Sequence, residues 1–414
     1  MLIGSSSWMG FFSTVLNFSL IYLEIYPTIV RGGRIHIARG FMLKRMYYLD
    51  NLRVFLTMLV IVFHTSIAYG GSGSWYFEDV DKSQLNATMV ILTIFTAVCQ
   101  AFFMALFFFI SGYFTPKSYD RKGPFRFLSD RLLRLGIPMV LYMLWIGPST
   151  IYLAEYRHEQ TYTEFFRESI LHFKIINFGP LWFAEALIYF AFFYVLYLMI
   201  FKKSEDASAR SIAFPTGARL LGFALGSGLA AFLTRFIFPL GTGPMELQLG
   251  YFPLYILLFI AGILAYRHNW LEQIPSLLSK IWLRTALILI PVFPLLLILT
   301  GALNGNLTYS GGFHLQAFLY AMWEPFICFG ICLGLLFLFR RRMNKASRIM
   351  ERLAKLAFTA YIIHPVVVVS CTLVMHHVDL APLLKLIIVA PVSVVLTFAA
   401  SQVIYKIPYA SRIL

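Results

Sequence analysis

Residues 48–70 read YLDNLRVFLTMLVIVFHTSIAYG, an apolar stretch that carries an arginine and a histidine eleven residues apart. At 100° and about 1.5 Å per residue, eleven steps place Arg53 and His64 on one face of a helix, about 16 Å apart along its axis. Asp50 lies about 40° from that line and joins the same face. Charged and titratable groups inside a membrane span are expensive and generally functional. The stretch therefore predicts a transmembrane helix that carries out chemistry or transport on one face.

The composition of the whole chain is that of a membrane protein. Hydrophobic residues make up 59% of the 414 residues, and charged residues only 13%. Soluble domains do not have this balance. A hydrocarbon core about 30 Å thick requires about 20 apolar residues per helix. We therefore predict an all-α, polytopic integral membrane protein with ten spans, placed near 54–70, 90–114, 135–153, 181–201, 218–239, 249–266, 283–301, 315–339, 356–375 and 383–405.

The net charge of +15 is explained by where the basic residues fall along the chain. Of the 34 Lys and Arg residues, 28 lie in every second segment between the predicted spans. The positive-inside rule places these segments, and both termini, in the cytoplasm. The run Arg340–Arg342 is then a topology anchor near anionic lipid, with a ligand-phosphate site as the minority interpretation. This distribution argues for a lipid bilayer as partner and against nucleic acid.

Residues 1–46 differ from the remainder of the chain. The stretch Trp8–Val30 is apolar enough to resemble a signal or an eleventh span, yet it contains an acid and a proline and lacks an A-x-A cleavage site. Met42 begins a short basic lead-in, so the functional protein could start there. We predict an N-terminal extension over 1–46 and one ten-helix membrane domain over 47–414.

The four cysteines all fall inside predicted spans, at Cys99, Cys328, Cys332 and Cys371. Their spacing suggests neither disulfide pairing nor a metal cage. We predict no metal and no structural disulfide.

Several polar residues near the cytoplasmic ends of spans are candidate binding groups. Ser111, Gly112 and Tyr113 close the second span, where small residues let helix backbones approach closely. Arg131 and Arg134 form a basic pair at i and i+3. A phosphate-bearing donor could dock there, although a topology anchor explains the pair equally well.

Other polar residues lie deeper in the membrane or near its outer side. Trp182 and Glu185 lie near the outer end of the fourth span, and Glu324 lies within the eighth. Carboxylates at such depth should face the bundle interior. His364 lies at a depth similar to that of His64. Each histidine alone could be a satisfied interior residue, but the matched depth favours a shared polar cavity.

The order and spacing of these features resemble acyltransferase family 3, and within it the branch of glucan biosynthesis proteins, from about Tyr47 to the C-terminus. The resemblance rests on Leu49-Asp50-x-Leu52-Arg53 followed by His64, SGSWYFED after the first span, FFFISGYF with Ser111 and Gly112, Arg131-x-x-Arg134 ahead of Pro138, Leu181-Trp182-Phe183, and Tyr361-x-x-His364.

The resemblance implies transfer of an acyl group from a cytoplasmic acyl-CoA-type donor to a hydroxyl of a saccharide, a glucan or another cell-envelope acceptor. Acyl-CoA would be a co-substrate, with no bound cofactor, and the protein would lie in the plasma membrane of a bacterium. Acetyl and succinyl donors both remain open. The implied site comprises His64, Arg53 and Asp50 for catalysis, Arg131, Arg134, Ser111 and Tyr113 for the donor, and Trp182, Glu185, Glu324 and His364 for the acceptor cavity.

An imidazole suits general-base chemistry near neutral pH, so His64 can take the proton from an acceptor hydroxyl. An acyl-imidazole intermediate is a second route. Arg53 lies too far along the helix to pair with His64, so any oxyanion stabiliser must come from another span.

Two other classes of protein compete with the enzyme. A secondary transporter could use the buried acids and histidines, among them Glu185 and Glu324, as an ion or proton path. The chain shows none of the paired halves that transporters commonly have. In a membrane scaffold, the polar groups would only join helices, and the ordered motifs would go unexplained. Loss of acyl transfer in His64→Ala would separate the enzyme from both.

Overall fold

Ten long helices make up the fold. The computed structural model describes residues 45–83, 86–169, 178–201, 212–301, 307–408 and 410–413. Within these ranges there is no strand, and ten helices are long and apolar enough to cross a membrane. The prediction of an all-α polytopic protein is confirmed. The helices are α1 Tyr47–Ala68, α2 Ala87–Lys122, α3 Pro124–Tyr156, α4 Gly179–Phe201, α5 Gly217–Thr234, α6 Leu249–Arg267, α7 Ser276–Leu299, α8 Leu315–Arg342, α9 Arg348–His376 and α10 Pro382–Ile404.

Several helices are longer than the apolar stretches that predict them. α1 begins at Tyr47 rather than 54, α2 continues to Lys122 rather than 114, and α9 begins at Arg348 rather than 356. Hydropathy marks only the part of a helix that lies in hydrocarbon, whereas backbone hydrogen bonding continues through the polar residues beyond it. The expected N-terminal extension, 1–46, lies outside the described residues except for its last two.

α3 is an irregular helix in which α-helical and wider π-helical turns alternate. The π-helical turns are Leu132–Gly136, Tyr142–Ile146 and Tyr152–Tyr156. Pro138 and Pro148 lie in the α-helical turns between them. Proline removes a backbone donor and its ring displaces the preceding turn, which is a common cause of such local unwinding.

α1 lies at the centre of the bundle. It contacts α2, α8, α9 and α10, while α2 packs along α6 and α8. α5 and α7 both pack on α8. These contacts belong to one compact unit formed by Arg45–Ile200 and Ile212–Leu414. The central position of α1 is what places the polar face predicted for residues 48–70 inside the protein.

Contacts between chain segments identify the two sides of the bundle. At one side, the Asn51 side chain donates to the carbonyl of Met343, 2.7 Å away, and Arg45 lies 3.6 Å from Glu351. The starts of α1 and α9 and the end of α8 therefore meet. We call this the basic side, because the Lys- and Arg-rich segment 340–355 joins α8 to α9 there. The second such segment, 115–134, follows Tyr113, whose hydroxyl is 3.7 Å from the sulfur of Met46 just before α1. The described part of the loop between α1 and α2, residues 69–83 and 86, lies at the opposite side.

Helices α2 and α6 cross at close range. A Cβ atom added to Gly112 would overlap the carbonyl oxygen of Phe259, and one added to Gly262 would overlap that of Phe109. The two backbones can approach this closely only because both positions are glycine. The sequence predicted such an approach at Gly112.

Candidate active site

Two histidines from different helices contact each other inside the bundle. His64 lies on α1 and His364 on α9, and Nδ1 of His64 is 3.0 Å from Nε2 of His364. The two helices start at the same side. His64 lies 17 residues after Tyr47 and His364 lies 16 residues after Arg348, so the two histidines are at nearly the same depth. The structure thus brings together the two residues for which the sequence predicted a shared cavity.

The residue after His364 is a proline, and it determines one hydrogen bond of the pair. In an α-helix the carbonyl of Tyr361 would accept the backbone N–H of residue 365, but Pro365 has none. The freed carbonyl oxygen lies 2.7 Å from Nδ1 of His364. A carbonyl can only accept a hydrogen bond, so His364 donates through Nδ1–H.

This hydrogen bond assigns the tautomer of both neutral rings. With its proton on Nδ1, His364 has a lone pair on Nε2 and accepts the Nδ1–H of His64. His64 then carries its lone pair on Nε2, where the ring can accept a proton. When His64 takes up a second proton, its Nδ1–H bond to His364 becomes charge-assisted and stronger. The arrangement is that of a base with an orienting partner.

A tryptophan from the loop after α1 covers the pair. The indole of Trp75 stacks on His64 with ring centroids 4.0 Å apart and 21° between the planes. Its centroid is 5.9 Å from that of His364. No role for Trp75 is predicted from the sequence, in which its only signal is its place in SGSWYFED, shortly after the helix that carries His64.

The loop that carries Trp75 is fixed to the bundle by charged groups. The backbone N–H of Trp75 donates to Glu78, 3.0 Å away. Lys385 at the start of α10 donates to the buried carboxylate of Asp79 over 2.7 Å, and His376 at the end of α9 also pairs with that carboxylate. These contacts hold the loop against the ends of α9 and α10.

Tyrosine hydroxyls join the loop to α3 and α4. The hydroxyls of Tyr76 and Tyr142 are 2.8 Å apart, and both lie against Gly179, where a Cβ would overlap them. Burial raises the pKa of Tyr76 to about 12, so this hydroxyl stays protonated at neutral pH. Tyr361 donates to the carbonyl of Pro180. The start of α4 therefore packs directly on the helix turn that orients His364.

The other two residues of the predicted catalytic face lie at the basic side. Arg53 Nη2 is 3.4 Å from the carboxylate of Asp50 and 3.5 Å from the carbonyl of Ala354 on α9. The Arg53 side chain is 37% exposed. It therefore has room for a further anionic partner, and it lies less than two turns from the start of α1, well separated from His64.

The predicted donor residues also lie towards the basic side but in different surroundings. Arg131 is half-buried, with its guanidinium over the ring of Phe127 and 3.5 Å from the hydroxyl of Thr115. Arg134 is exposed. The π-helical turn Leu132–Gly136 follows Arg131, so the two arginines do not share one regular α-helical surface as the i, i+3 spacing had predicted.

Ser111 and Tyr113 have different surroundings as well. Ser111 is half-buried, and its carbonyl accepts from Thr115 over 2.8 Å. The Tyr113 hydroxyl is 3.7 Å from the sulfur of Met46. Ser111 is thereby tied to Thr115, which itself contacts Arg131.

Trp182 and Glu185 lie near the start of α4. Trp182 stacks on Tyr255 with ring centroids 5.9 Å apart. Glu185 is buried and accepts from the hydroxyl of Tyr189 over 2.8 Å, while its second carboxylate oxygen has no hydrogen-bond partner among the described residues. Both carboxylates predicted to face the interior, Glu185 and Glu324, do so.

Glu324 forms a buried ion pair that the sequence did not predict. Its carboxylate pairs with Arg235, which follows the end of α5 and is fully buried. The guanidinium lies over the rings of Tyr251 and Tyr320 at 5.2 and 5.3 Å, and it donates to the carbonyl of Gly250 over 3.2 Å. None of the contacts found for Glu324 in the described part of the chain is with the histidine pair, so its predicted place in the acceptor cavity lacks support from the geometry.

The cysteines carry free thiols, and the sulfur atoms of Cys328 and Cys332 are 3.8 Å apart. Across the described residues, no group of three or more His, Cys, Asp or Glu side chains is placed to hold a metal ion.

The fold and the site thus define a ten-span helical membrane protein with a pair of histidines inside the bundle and arginines at one side. Residues 46–406 match the family described as Acyltransferase domain, acyltransferase family 3, and the chain belongs to that family.

Among curated proteins, the chain is similar to Glucans biosynthesis protein C of Salmonella agona (strain SL483), with 30% identity over 236 residues. It is 29% identical over 236 residues to the protein of that name from Salmonella enteritidis PT4 (strain P125109). Each alignment covers 54% of this chain and 59% of the relative, so the chain spans little more than half the length of the curated relatives that it matches. No solved structure matches it.

Proposed function

We propose that this protein is a membrane O-acyltransferase in which His64 is the general base. The observation that carries the proposal is the hydrogen-bond chain from the Tyr361 carbonyl through His364 to His64, which leaves a lone pair on Nε2 of His64. Membership of acyltransferase family 3 supports the reaction class.

In the proposed reaction, the acceptor hydroxyl gives its proton to Nε2 of His64 while its oxygen bonds to the acyl carbon of a thioester. The carbonyl oxygen of the thioester takes up negative charge in the tetrahedral intermediate. When the carbon–sulfur bond breaks, the thiolate leaves with the proton from His64. The products are an ester and a thiol, and His64 returns to its neutral form.

We propose that the donor is an acyl-CoA that enters from the basic side. Arg53, held by Asp50, would contact its phosphates, with Arg131 and Arg134 as further candidates, because guanidinium groups bind phosphate in a forked geometry. The pantetheine arm of CoA separates these phosphates from the thioester. The separation of Arg53 and His64 along α1, about 16 Å, suits a donor of this extended shape.

We further propose that the acceptor is a saccharide hydroxyl that reaches His64 from the opposite side of the bundle. The aromatic residues Trp182, Tyr76 and Tyr142 near the start of α4 would line its path, since flat rings and hydroxyls are suited to sugar faces. The relatives are named for glucan biosynthesis, which supports a glucan as the first acceptor to test. The charge distribution supports a cytoplasmic basic side.

The test is acyl transfer by purified protein in liposomes. Wild type and His64→Ala are compared with radiolabelled acetyl-CoA and succinyl-CoA and an extract rich in saccharides. We expect label in the saccharide fraction with wild type, and a loss of at least 100-fold in His64→Ala, the scale typical of general-base removal. The donor that transfers label identifies the acyl group.

The matched control is His158→Ala, which removes an exposed histidine and should transfer at the wild-type rate. Transfer that persists in His64→Ala would overturn the role of the base. No transfer by folded wild type from either donor would favour the transporter. An acylated His64 isolated without acceptor would replace the direct route by a two-step one.

A further inference from the structure

The indole nitrogen of Trp75 is a buried donor for which the described part of the chain provides no acceptor. Its Nε1 atom is inaccessible and has no hydrogen-bond partner in the described residues. Buried polar groups are satisfied in the great majority of cases, so an unsatisfied one needs an explanation. Because the indole stacks on His64, this N–H lies beside the ring that would take the substrate proton.

Trp75 is held in place by contacts of its backbone and of neighbouring residues, not by its indole N–H. Its backbone N–H is held by Glu78, and the next residues are tied by Asp79 to Lys385 and His376. The indole therefore does not need a hydrogen bond of its own to stay in place. No acceptor among the described residues would therefore compete with a ligand oxygen for its N–H.

The face of the Trp75 indole is placed to stabilise the positive charge that proton transfer creates on His64. Proton transfer turns His64 into an imidazolium, and a cation over an indole face is attracted by the ring electrons. With ring centroids 4.0 Å apart, the stacked geometry is already present in the resting protein.

We propose that Trp75 is the third member of the site. Its ring face stabilises the imidazolium of His64, and its Nε1–H donates a hydrogen bond to the acyl oxygen that becomes negative in the tetrahedral intermediate. This inference rests on the proposed function. The positive charge on His64 would then lie against the ring face of Trp75, and the negative charge on the acyl oxygen would accept its Nε1–H. Preorganised hydrogen-bond donors of this kind strongly accelerate acyl transfer.

Two substitutions of Trp75 separate the effect of its N–H from the effect of its ring face. Trp75→Phe retains an aromatic face and removes the N–H, whereas Trp75→Ala removes both. We expect kcat to fall about 100-fold in Trp75→Phe, as for the loss of one oxyanion donor. In Trp75→Ala it should fall a further ~5-fold with the loss of the cation–π contact. The KM for the acyl donor should change less than kcat, because both contacts form in the transition state.

Trp145→Phe is the matched control, because it makes the same change at an exposed residue of α3. Each variant is first checked for monodisperse elution and wild-type thermal unfolding. Wild-type kcat in Trp75→Phe would overturn the donor role, and equal kcat in the two variants would overturn the role of the ring face. The proposed function is tested separately, because acyl transfer at the wild-type rate by His64→Ala would contradict it while leaving the Trp75 measurements unaffected.

Discussion

The dipeptide His364-Pro365 shows how one covalent feature shapes the site. Proline has no backbone N–H, so the carbonyl of Tyr361 lacks its usual helical donor and accepts the imidazole of His364 instead. That bond orients His364 and fixes its tautomer, and through it the tautomer of His64. A backbone rule acting at one residue thus decides which nitrogen of another residue, on another helix, carries the lone pair.

Replacing Pro365 by alanine restores the missing N–H. The Tyr361 carbonyl would then be shared between the helix and His364, which weakens one neutral hydrogen bond of about 1 kcal/mol. We expect kcat to fall about 5-fold, with thermal stability unchanged or higher because a helix-interior proline is removed. The measurement is steady-state acyl transfer by the purified variant. Pro391→Ala, the same change within α10, should leave kcat unaltered, and an unchanged kcat in Pro365→Ala would show that the freed carbonyl is unimportant.

At the scale of elements, the α2–α6 crossing holds together a layer of stacked aromatic rings that includes Trp182. Phe108 on α2 stacks on Tyr255 of α6 with ring centroids 4.9 Å apart, and Tyr255 in turn stacks on Trp182. This layer depends on the close approach at Gly112 and Gly262. Small residues at a helix interface therefore set the positions of large ones nearby.

Gly112→Ala should separate α2 from α6, because its Cβ would overlap a backbone carbonyl that cannot move alone. We expect a loss of about 1–3 kcal/mol in the free energy of unfolding, as for overpacked cores. Thermal unfolding in detergent would measure it as a lower midpoint. The matched control is Gly226→Ala on α5, where the added Cβ would meet nothing within 4 Å. A Gly112→Ala protein as stable as this control would contradict the proposed role of the crossing.

At the scale of the whole molecule, contacts between distant segments hold each side of the bundle together. At the basic side, Arg267 pairs with Asp120 through two bonds of 2.7 and 2.9 Å. At the opposite side, Asp79 joins the first loop to the ends of α9 and α10. The two sides thus have separate sets of charged contacts, and the histidine pair lies between them.

The charge distribution predicts that the basic side faces the cytoplasm. Single cysteines introduced at exposed positions test this, one at Glu159 after α3 and one at Ala346 between α8 and α9. In cells whose outer membrane is permeabilised and whose inner membrane is intact, a membrane-impermeant maleimide should label Glu159→Cys. It should label Ala346→Cys only after lysis. The unsubstituted protein controls for its own thiols. The reverse labelling pattern would invert the topology and move donor entry to the other side.

The sequence by itself determined the ten spans and which helix ends form the basic side. Span length and apolar content follow from the thickness of the bilayer, and the basic side follows from the distribution of Lys and Arg, so both can be read from local composition. It also placed His64 and His364 at equal depth, because rise per residue is constant. Only the tertiary structure decided the partners. The stacking of Trp75 on His64 depends on a loop fold that no periodicity describes. The pairing of Glu324 with Arg235 joins residues far apart in sequence, and burial of a carboxylate indicates that a partner is needed without saying which one.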